Sequence, residues 1–515
     1  MNTGFLLALF LGCLASTAAL APAVMRFARS IDAVDRGGYR KVFKGEVPLL
    51  GGLAIAVPAI LLALGVSIAG HLIVRNWQWV WLNHREWFSP LFSLAGSRKE
   101  CLTLALGGAA ILGLGLVDDV KGLPARFKLL GQVVVALIIC FSGFLLKTVS
   151  IPFVGPVDLG VGIGGLLTVL WIVGLINAFN LIDGIDGLAA GMGFIGAGAL
   201  AALSILQENA FVMFAGVALT GGLLGFLPYN FPPAKTFLGD TGSMFIGYAL
   251  STVSLMGALK SETAVIVMAP MLALSFPVFE TLVSIVRRYI RGVPVFAGDN
   301  LHTHHRLLRK GYSEPRVILT LYGAGVLLAV AGVMSAVIPE DSGWSWCSYG
   351  LYVGTLLYVA WLAGYLRPTT LKKVLERRHQ NRKLQALARY ASLCLDVRMQ
   401  AKANLLLELC RNELGLLHID VRMRNGDWFL ASPGGADDNT KALPEQLLVK
   451  SADGQDILIR YEFLHSPGPE TETRQDVSTC LARIFDGMTT PRAVRPKAIV
   501  SVSPDGGLQA NIGER

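Results

Sequence analysis

The chain has 515 residues, of which 53% are hydrophobic and only 16% are charged, and its mean hydropathy is +0.54. This composition excludes a soluble enzyme, because apolar runs long enough to cross about 30 Å of hydrocarbon recur along the chain. The formal net charge of +9 is attributed to basic loops on one side of a membrane, so no nucleic-acid partner is expected. Seven cysteines without a CxxC pair indicate neither a disulfide framework nor a cysteine zinc site.

Hydropathy predicts an all-α polytopic membrane protein with about eleven transmembrane helices and a small C-terminal α+β cytoplasmic domain. The first apolar run resembles a signal peptide, but basic residues follow it rather than precede it, so a retained first span is expected. Alternate loops are rich in Lys and Arg, which places those loops and the C-terminus in the cytoplasm and the N-terminus outside. The predicted spans are 4–24, 49–70, 101–117, 129–147, 161–177, 188–205, 211–227, 241–259, 263–286, 316–338 and 347–366.

Four segments follow from the change in composition after the last span. Residues 1–366 form the transmembrane domain, and 367–383 form a basic juxtamembrane linker that could contact anionic lipid or serve only as a topology signal. Residues 384–490 predict an α-ββ-ββ-α domain with hairpin turns at Asn425-Gly426 and Asp453-Gly454. Its element order is similar to small sensor domains, so a regulatory role is expected. Residues 491–515 are predicted to be a disordered tail.

One stretch, NAFNLIDGIDGLAAG (177–191), places two amides and two carboxylates at three-residue intervals where a membrane helix should end. On a straight helix each such step turns by about 300°, so Asn177 and Asp186 would face opposite sides. Gly184 and Gly187 predict that the helix unwinds, which would turn both carboxylates toward one polar cavity. The alternative is a solvated loop with Asp-Gly turns.

Polar groups also end other spans on the same basic side, so they can converge on one site. Asp118-Asp119 would repel each other without a cation, and carboxylates from separate loops suit Mg²⁺ bound together with a substrate phosphate. The alternative is a simple acidic helix end. FLGDTGS offers amides and hydroxyls before a helix, where a phosphate can bind. HTHHRLLRK could bind zinc, but the absence of an obvious fourth ligand favours a basic loop that holds phosphate oxygens.

Together these motifs resemble the polyprenyl-phosphate N-acetylhexosamine-1-phosphate transferases over roughly residues 1–340. The resemblance is carried by KGEVPLLGGLAI, GLVDDVKGLPARFKLLGQ, NAFNLIDGIDGLAAG, GFLPYNFPPAKTFLGDTGSMFIG and DNLHTHHRLL. It implies transfer of HexNAc-1-phosphate from a UDP-sugar to undecaprenyl phosphate, with release of UMP. The histidine motif looks like the branch that primes O-antigen, exopolysaccharide or similar polymers. The alternative branch is the phospho-MurNAc-pentapeptide transferases, whose motif has three consecutive histidines.

The family match also implies the roles of individual residues. The cofactor would be Mg²⁺, or Mn²⁺ in its place, and the acceptor would enter from a bacterial plasma membrane with the site on the cytoplasmic side. A homodimer is expected from the resemblance. Glu280 stands where the family pattern would have Asp, and no role is assigned to it. The implied catalytic residues are Asp118, Asp119, Lys128, Asp183 and Asp186; the substrate contacts are Asn177, Asn180, Phe237, His302, His304, His305 and Arg306; the metal ligands are Asp118, Asp119 and Asp240.

Two mechanisms and one other function class remain open at this stage. Direct attack by the acceptor phosphate, with Asp118 holding or deprotonating it, is favoured over a covalent intermediate on one of the paired aspartates. A carboxylate-lined transporter would also place Asp residues in membrane helices. A transporter should carry charges near the midplane, however, whereas all these motifs fall on the cytoplasmic face.

Overall fold

The computed structural model describes residues 3–35, 46–76, 94, 96–151, 155–206, 208–259, 271–291, 302–338 and 342–366, and six strand segments between 416 and 510. The chain divides into two compact units, one with the helices and one with those six strands. The helices, numbered in chain order, are α1 (Thr3–Ser30), α2 (Gly52–Asn76), α3 (Arg98–Lys121), α4 (Ala125–Phe141), α5 (Gly160–Ile182), α6 (Leu188–Leu206), α7 (Ala210–Asn230), α8 (Gly239–Leu259), α9 (Ser275–Arg291), α10 (Thr303–Arg309), α11 (Glu314–Val337) and α12 (Ser345–Leu362).

The predicted spans and the observed helices agree in position. Each predicted span overlaps a described helix, although the start of the span predicted at 263–286 lies outside the described residues. Within the described part, seven helices are long and apolar enough to cross a membrane: α1, α3, α5, α6, α7, α8 and α11. The protein is therefore a multi-pass, mostly helical membrane protein, while the number eleven stays a prediction.

Helix α8 lies at the centre of the helical unit and is buried on every side. It packs between α3 and α5, and close approach requires glycine at both contacts. A Cβ on Gly115 of α3 would lie 2.7 Å from the Cα of Thr241, and a Cβ on Gly247 would lie 2.6 Å from the Cα of Ile176 in α5. Small residues allow such contacts between membrane helices, and here they bring the ends of α3 and α5 to the start of α8.

The segment before α2 forms hydrogen bonds with the chain that leads into α8. Strands β1 (Val34–Asp35) and β2 (Val47–Pro48) pair antiparallel. The carbonyl of Pro48 accepts hydrogen bonds from Phe237 N at 2.8 Å and Thr236 Oγ1 at 2.9 Å. The amide of Gly51 donates in return to Phe237 O at 3.0 Å. The chain just before Asp240 is thus fixed on the edge of the 46–52 segment. A second pair, β3 (Thr148–Ile151) with β4 (Gly155–Asp158), joins α4 to α5.

The strands of the second unit lie at the predicted hairpins. The strands β5 (Leu416–Met423), β6 (Trp428–Ala431), β7 (Glu445–Lys450) and β8 (Asp456–Phe463) form an antiparallel sheet in the order β6-β5-β8-β7. The turns, both predicted helical runs of 384–490 and the linker 367–383 lie outside the described residues. The α+β domain and its regulatory role stay predictions. In the tail, β9 (Val500–Val502) pairs with β10 (Leu508–Ala510), and the rest of the 491–515 segment, predicted to be disordered, lies outside the described residues.

Candidate active site

Asp119 caps the start of α8 from the end of α3. Its Oδ1 accepts a hydrogen bond from Asp240 N at 2.9 Å, and its Oδ2 accepts from Thr241 N at 2.9 Å and Thr241 Oγ1 at 2.5 Å. The first amides of a helix have no partner within it, and a carboxylate there also favours the helix dipole. Gly239 is required beside this contact, because its φ is +73° and a Cβ would lie 2.6 Å from Asp119 Oδ2. The carboxylate of Asp119 therefore positions Asp240.

Asp118 and Asp240 share one ammonium group, that of Lys128 in the first turn of α4. The Nζ of Lys128 forms ion pairs with Asp118 Oδ2 and with Asp240 Oδ2, the latter at 2.6 Å. The other oxygen of Asp118 accepts from Leu123 N at 2.6 Å. The side chain of Asp118 is 3% exposed, whereas those of Lys128 and Asp240 are 25% and 29% exposed. Lys128 and Asp240 are therefore the accessible members of the group of three charged residues.

Asn180 joins this acidic cluster, but Asn177 does not. Asn180 donates to Asp240 Oδ1 at 2.6 Å and to Ser243 Oγ at 3.1 Å. Asn177, three residues earlier, donates to Gln132 Oε1 at 2.5 Å and to Val173 O at 2.8 Å, and so ties α5 to α4. Helix α5 continues to Ile182 rather than ending at 177 as expected. Asn177 and Asn180 therefore both lie on a regular helix and point in different directions. Sequence reasoning did not single out the buried Gln132, although a lone amide in an apolar helix indicates a polar contact with another helix.

The chain turns at Asp183, and the following loop contacts two other segments. Asp186 Oδ2 accepts from Ala234 N at 3.4 Å, and Gly187 N donates to Asn230 Oδ1 at 3.0 Å. Asn230 is the last residue of α7, and Ala234 lies in the segment between α7 and α8. The expectation of unwinding at the glycines is confirmed for 183–187, where φ of Gly187 is +80°. Asp186 is directed toward that segment, and a single cavity shared with Asp183 stays a prediction.

The histidine motif forms the short helix α10 and packs against the same loop. A Cβ on Gly184 would lie 2.6 Å from Nε2 of His304, which is buried. That nitrogen has no hydrogen-bond partner within the part of the chain that the structure describes. Burial, with repulsion from His305 and His302, holds the pKa of His304 well below its ordinary value, so the ring is neutral. The ring centroids of His304 and His305 are 4.3 Å apart.

Arg306 and Phe237 lie at the edges of this arrangement. The guanidinium of Arg306 stands 4.6 Å from the ring centroid of Tyr365, just after α12. Phe237 is half-buried, and its main chain is held by the 46–52 segment. Its predicted stacking on a uracil ring stays a prediction. Tyr365 was not singled out by the sequence.

The carboxylates do not form a three-ligand metal cluster. No group of three or more His, Cys, Asp or Glu side chains arranged for a metal ion occurs among the described residues, and this holds for the histidine motif as well. Asp119 does not join the other two carboxylates in such a cluster because its side chain is oriented toward the amides of α8. Asp118, Asp119 and Asp240 carry three negative charges against one positive charge on Lys128. A net charge of −2 and free carboxylate lone pairs fit one divalent cation held by Asp118 and Asp240.

The chain is similar to known proteins of one family. A model of the family described as glycosyl transferase family 4 matches residues 101–258. A Bacillus subtilis (strain 168) protein named "probable undecaprenyl-phosphate N-acetylglucosaminyl 1-phosphate transferase" is 35% identical over 326 residues, which cover 63% of this chain and 83% of that protein. The chain belongs to glycosyl transferase family 4. As a member, it is an enzyme, a membrane phosphoglycosyltransferase, which decides against the transporter alternative.

Two other relatives carry different names. A decaprenyl-phosphate N-acetylglucosaminephosphotransferase of Mycobacterium leprae (strain TN) is 38% identical over 261 residues, covering 46% of this chain and 65% of that protein. A phospho-N-acetylmuramoyl-pentapeptide-transferase of Anoxybacillus flavithermus (strain DSM 21510 / WK1) is 32% identical over 321 residues, covering 60% of this chain and 89% of that protein. The region matched by the family model contains the whole Asp118–Lys128–Asp240 cluster, whereas α10 follows it.

Proposed function

We propose that this enzyme transfers N-acetylhexosamine-1-phosphate from a UDP-sugar to undecaprenyl phosphate at the cytoplasmic face of a bacterial plasma membrane. The names of the relatives support a polyprenyl-phosphate acceptor and a sugar-phosphate donor. An oxygen of the acceptor phosphate attacks the phosphorus bonded to the sugar. The bond from that phosphorus to the oxygen bridging it to the uridylate breaks. UMP leaves with the bridging oxygen, and undecaprenyl-diphospho-HexNAc forms as the first lipid intermediate of a surface polysaccharide.

The observation that carries this proposal is the shared ion pair of Lys128 with Asp118 and Asp240 at the meeting point of three helices. Phosphoryl transfer needs positioned charge more than covalent chemistry. A Mg²⁺ ion held by Asp118 and Asp240 would neutralise charge on the diphosphate. Lys128 supplies a second positive charge that is partly exposed, and Asn180 holds Asp240 in place at 2.6 Å.

The contacts of the paired aspartates favour direct attack over a covalent intermediate. Asp119 has both oxygens on the start of α8, and Asp118 has one on Leu123 N and the other on Lys128. A nucleophilic carboxylate would have to leave these partners, and Asp118 is almost completely buried. The acceptor phosphate is already an anion at neutral pH and needs no such step.

The test is UMP release by the purified protein with undecaprenyl phosphate, Mg²⁺ and a panel of UDP-HexNAc donors. We expect release with at least one donor and loss of about 10²-fold or more in Asp118→Asn and Asp240→Asn, the range for removing a positioned charge. Asp158→Asn is the matched control, because Asp158 is exposed and accepts only the local amide of Gly160 at 2.9 Å among the contacts described. No release with any donor from folded protein would overturn the proposal.

The second candidate donor is UDP-MurNAc-pentapeptide. It rests on the Anoxybacillus relative, of which the chain covers 89% at 32% identity. The interrupted HTHH pattern of α10 favours the HexNAc branch. UMP release with the pentapeptide donor alone would assign the enzyme to the other branch.

A further inference from the structure

Glu280 is a buried carboxylate to which the sequence assigned no role. It is 1% exposed and lies on α9, among apolar residues. Several of its contacts are made with residues 302–303, more than twenty positions later in the chain. A buried charge is costly unless it is fully hydrogen-bonded, so its partners indicate what it does.

The partners of Glu280 are the first residues of the histidine motif. Its Oε1 accepts from Thr303 N at 2.8 Å and faces His302 Nδ1 at 3.3 Å, while its Oε2 accepts from Thr303 Oγ1. Because a carboxylate only accepts, His302 must carry its hydrogen on Nδ1 to bond with Oε1. Thr303 has one hydroxyl hydrogen, so the Tyr365 hydroxyl at 3.2 Å is the donor in their contact. Ser284 Oγ lies 3.1 Å from the same Nδ1 of His302, so the one Nδ1 hydrogen is shared between Glu280 Oε1 and Ser284 Oγ. With Ser284 as an acceptor, the hydrogen bonds are mutually consistent.

This arrangement repeats the one at α8. There Asp119 of α3 accepts from the first amides of α8 and fixes Asp240 in its first turn. Here Glu280 of α9 accepts from the first amide of α10, next to His302 and one residue before His304. In both cases a carboxylate on another helix caps the helix that carries site residues. His304 in turn packs on Gly184, four residues after Asn180 on α5.

We propose that Glu280 is a positioning residue for the histidine motif, capping α10 and setting His302 and His304 against the loop at Gly184. Its effect on catalysis rests on the proposed function, whereas its effect on α10 does not. The carboxylate is the essential feature, since it satisfies a backbone amide, a hydroxyl and an imidazole hydrogen at once.

The catalytic arm compares Glu280→Gln, which keeps the shape, with Glu280→Asp, which keeps the charge. We expect Glu280→Gln to lower kcat/KM about 10- to 100-fold, mainly through the donor KM, as for loss of a charged hydrogen bond. Glu280→Asp should recover most of this loss. Glu100→Gln is the matched control, because Glu100 is also a buried glutamate on a helix but lies in the first turn of α3.

A double variant distinguishes positioning from general stability. If Glu280 acts through α10, Glu280→Gln should cause little further loss in a His302→Ala/His304→Ala background, because both histidines that it positions are already gone. Losses that multiply would contradict the proposal. An unchanged donor KM in the single variant would contradict it as well.

The second arm needs no substrate. Hydrogen exchange of peptides covering 302–309 should be about tenfold faster in Glu280→Gln than in the wild type or Glu100→Gln. If the wild type releases no UMP with any donor, the proposed function fails, and the exchange result still decides whether Glu280 holds α10. Unchanged exchange in this segment would overturn the inference.

Discussion

Replacing Asp119 with Asn should lower stability as well as activity, which separates it from its neighbour Asp118. The carboxylate accepts three hydrogen bonds from the start of α8, at 2.9, 2.9 and 2.5 Å. An amide retains one acceptor and turns its NH₂ toward the backbone N–H of Thr241. Hydrogen bonds to a charged group contribute about 1.5–3 kcal/mol each. Allowing for rearrangement of the Thr241 hydroxyl, we expect a loss of about 3 kcal/mol.

Asp118→Asn provides the comparison for this prediction. It removes one of three clustered carboxylates and keeps a neutral group of the same shape, so stability should change little while activity falls. The assay is thermal unfolding of both variants in the same detergent, with UMP release measured well below both midpoints. Asp119→Asn should lower the apparent midpoint by about 5 °C or more. An Asp119→Asn protein as stable as the wild type but inactive would refute the capping role and indicate direct contact with substrate or metal.

Three further changes test other parts of the site. Chelation of divalent metal should abolish UMP release, and added Mg²⁺ or Mn²⁺ should restore it. Metal binding measured by calorimetry should be lost in Asp240→Asn. Activity that survives chelation would contradict the metal proposal. Gly184→Ala should reduce activity about tenfold and lower stability by about 1–3 kcal/mol, because its Cβ would lie 2.6 Å from Nε2 of the buried His304 and displace the ring. A fully active variant would show that the ring position does not matter. His304 has a lowered pKa, so below about pH 6.5 the unfolded chain binds a proton that the folded chain does not. Stability should therefore fall as the pH decreases below about 6.5, by at most about 1.4 kcal/mol per unit from this group, and His304→Gln should show a flatter profile in unfolding measured from pH 7 to 5.

The membrane helices were predictable because length and apolarity are local properties of a span. The polar ends of those spans also predicted that Asp118, Asp240 and Asn180 belong together, and the structure joins them through Lys128 and direct hydrogen bonds. Family membership followed from the same motifs. The strands of the C-terminal unit were located by Asn-Gly and Asp-Gly turn signals, since these pairs are preferred in hairpin turns.

The separate contacts of these residues were not predictable, because they depend on helix rotation and on partners far along the chain. Consecutive residues of a helix point about 100° apart, so Asp118 faces Lys128 while Asp119 faces α8. The same rotation directs Asn177 to Gln132 and Asn180 to Asp240. Their common location at the ends of spans on one side, together with the family motifs, grouped all four as one site.

Glu280 shows the same limit most clearly. Its partners lie on α10, more than twenty residues away, and a single charge in an apolar run does not reveal them. Hydropathy and motif order thus determined which segments cross the membrane and which residue types meet at one face. Only the packing of α3, α5 and α9 against the starts of α8 and α10 decided which carboxylates cap helices and which pair with Lys128, because a carboxylate's role follows from the donors around it.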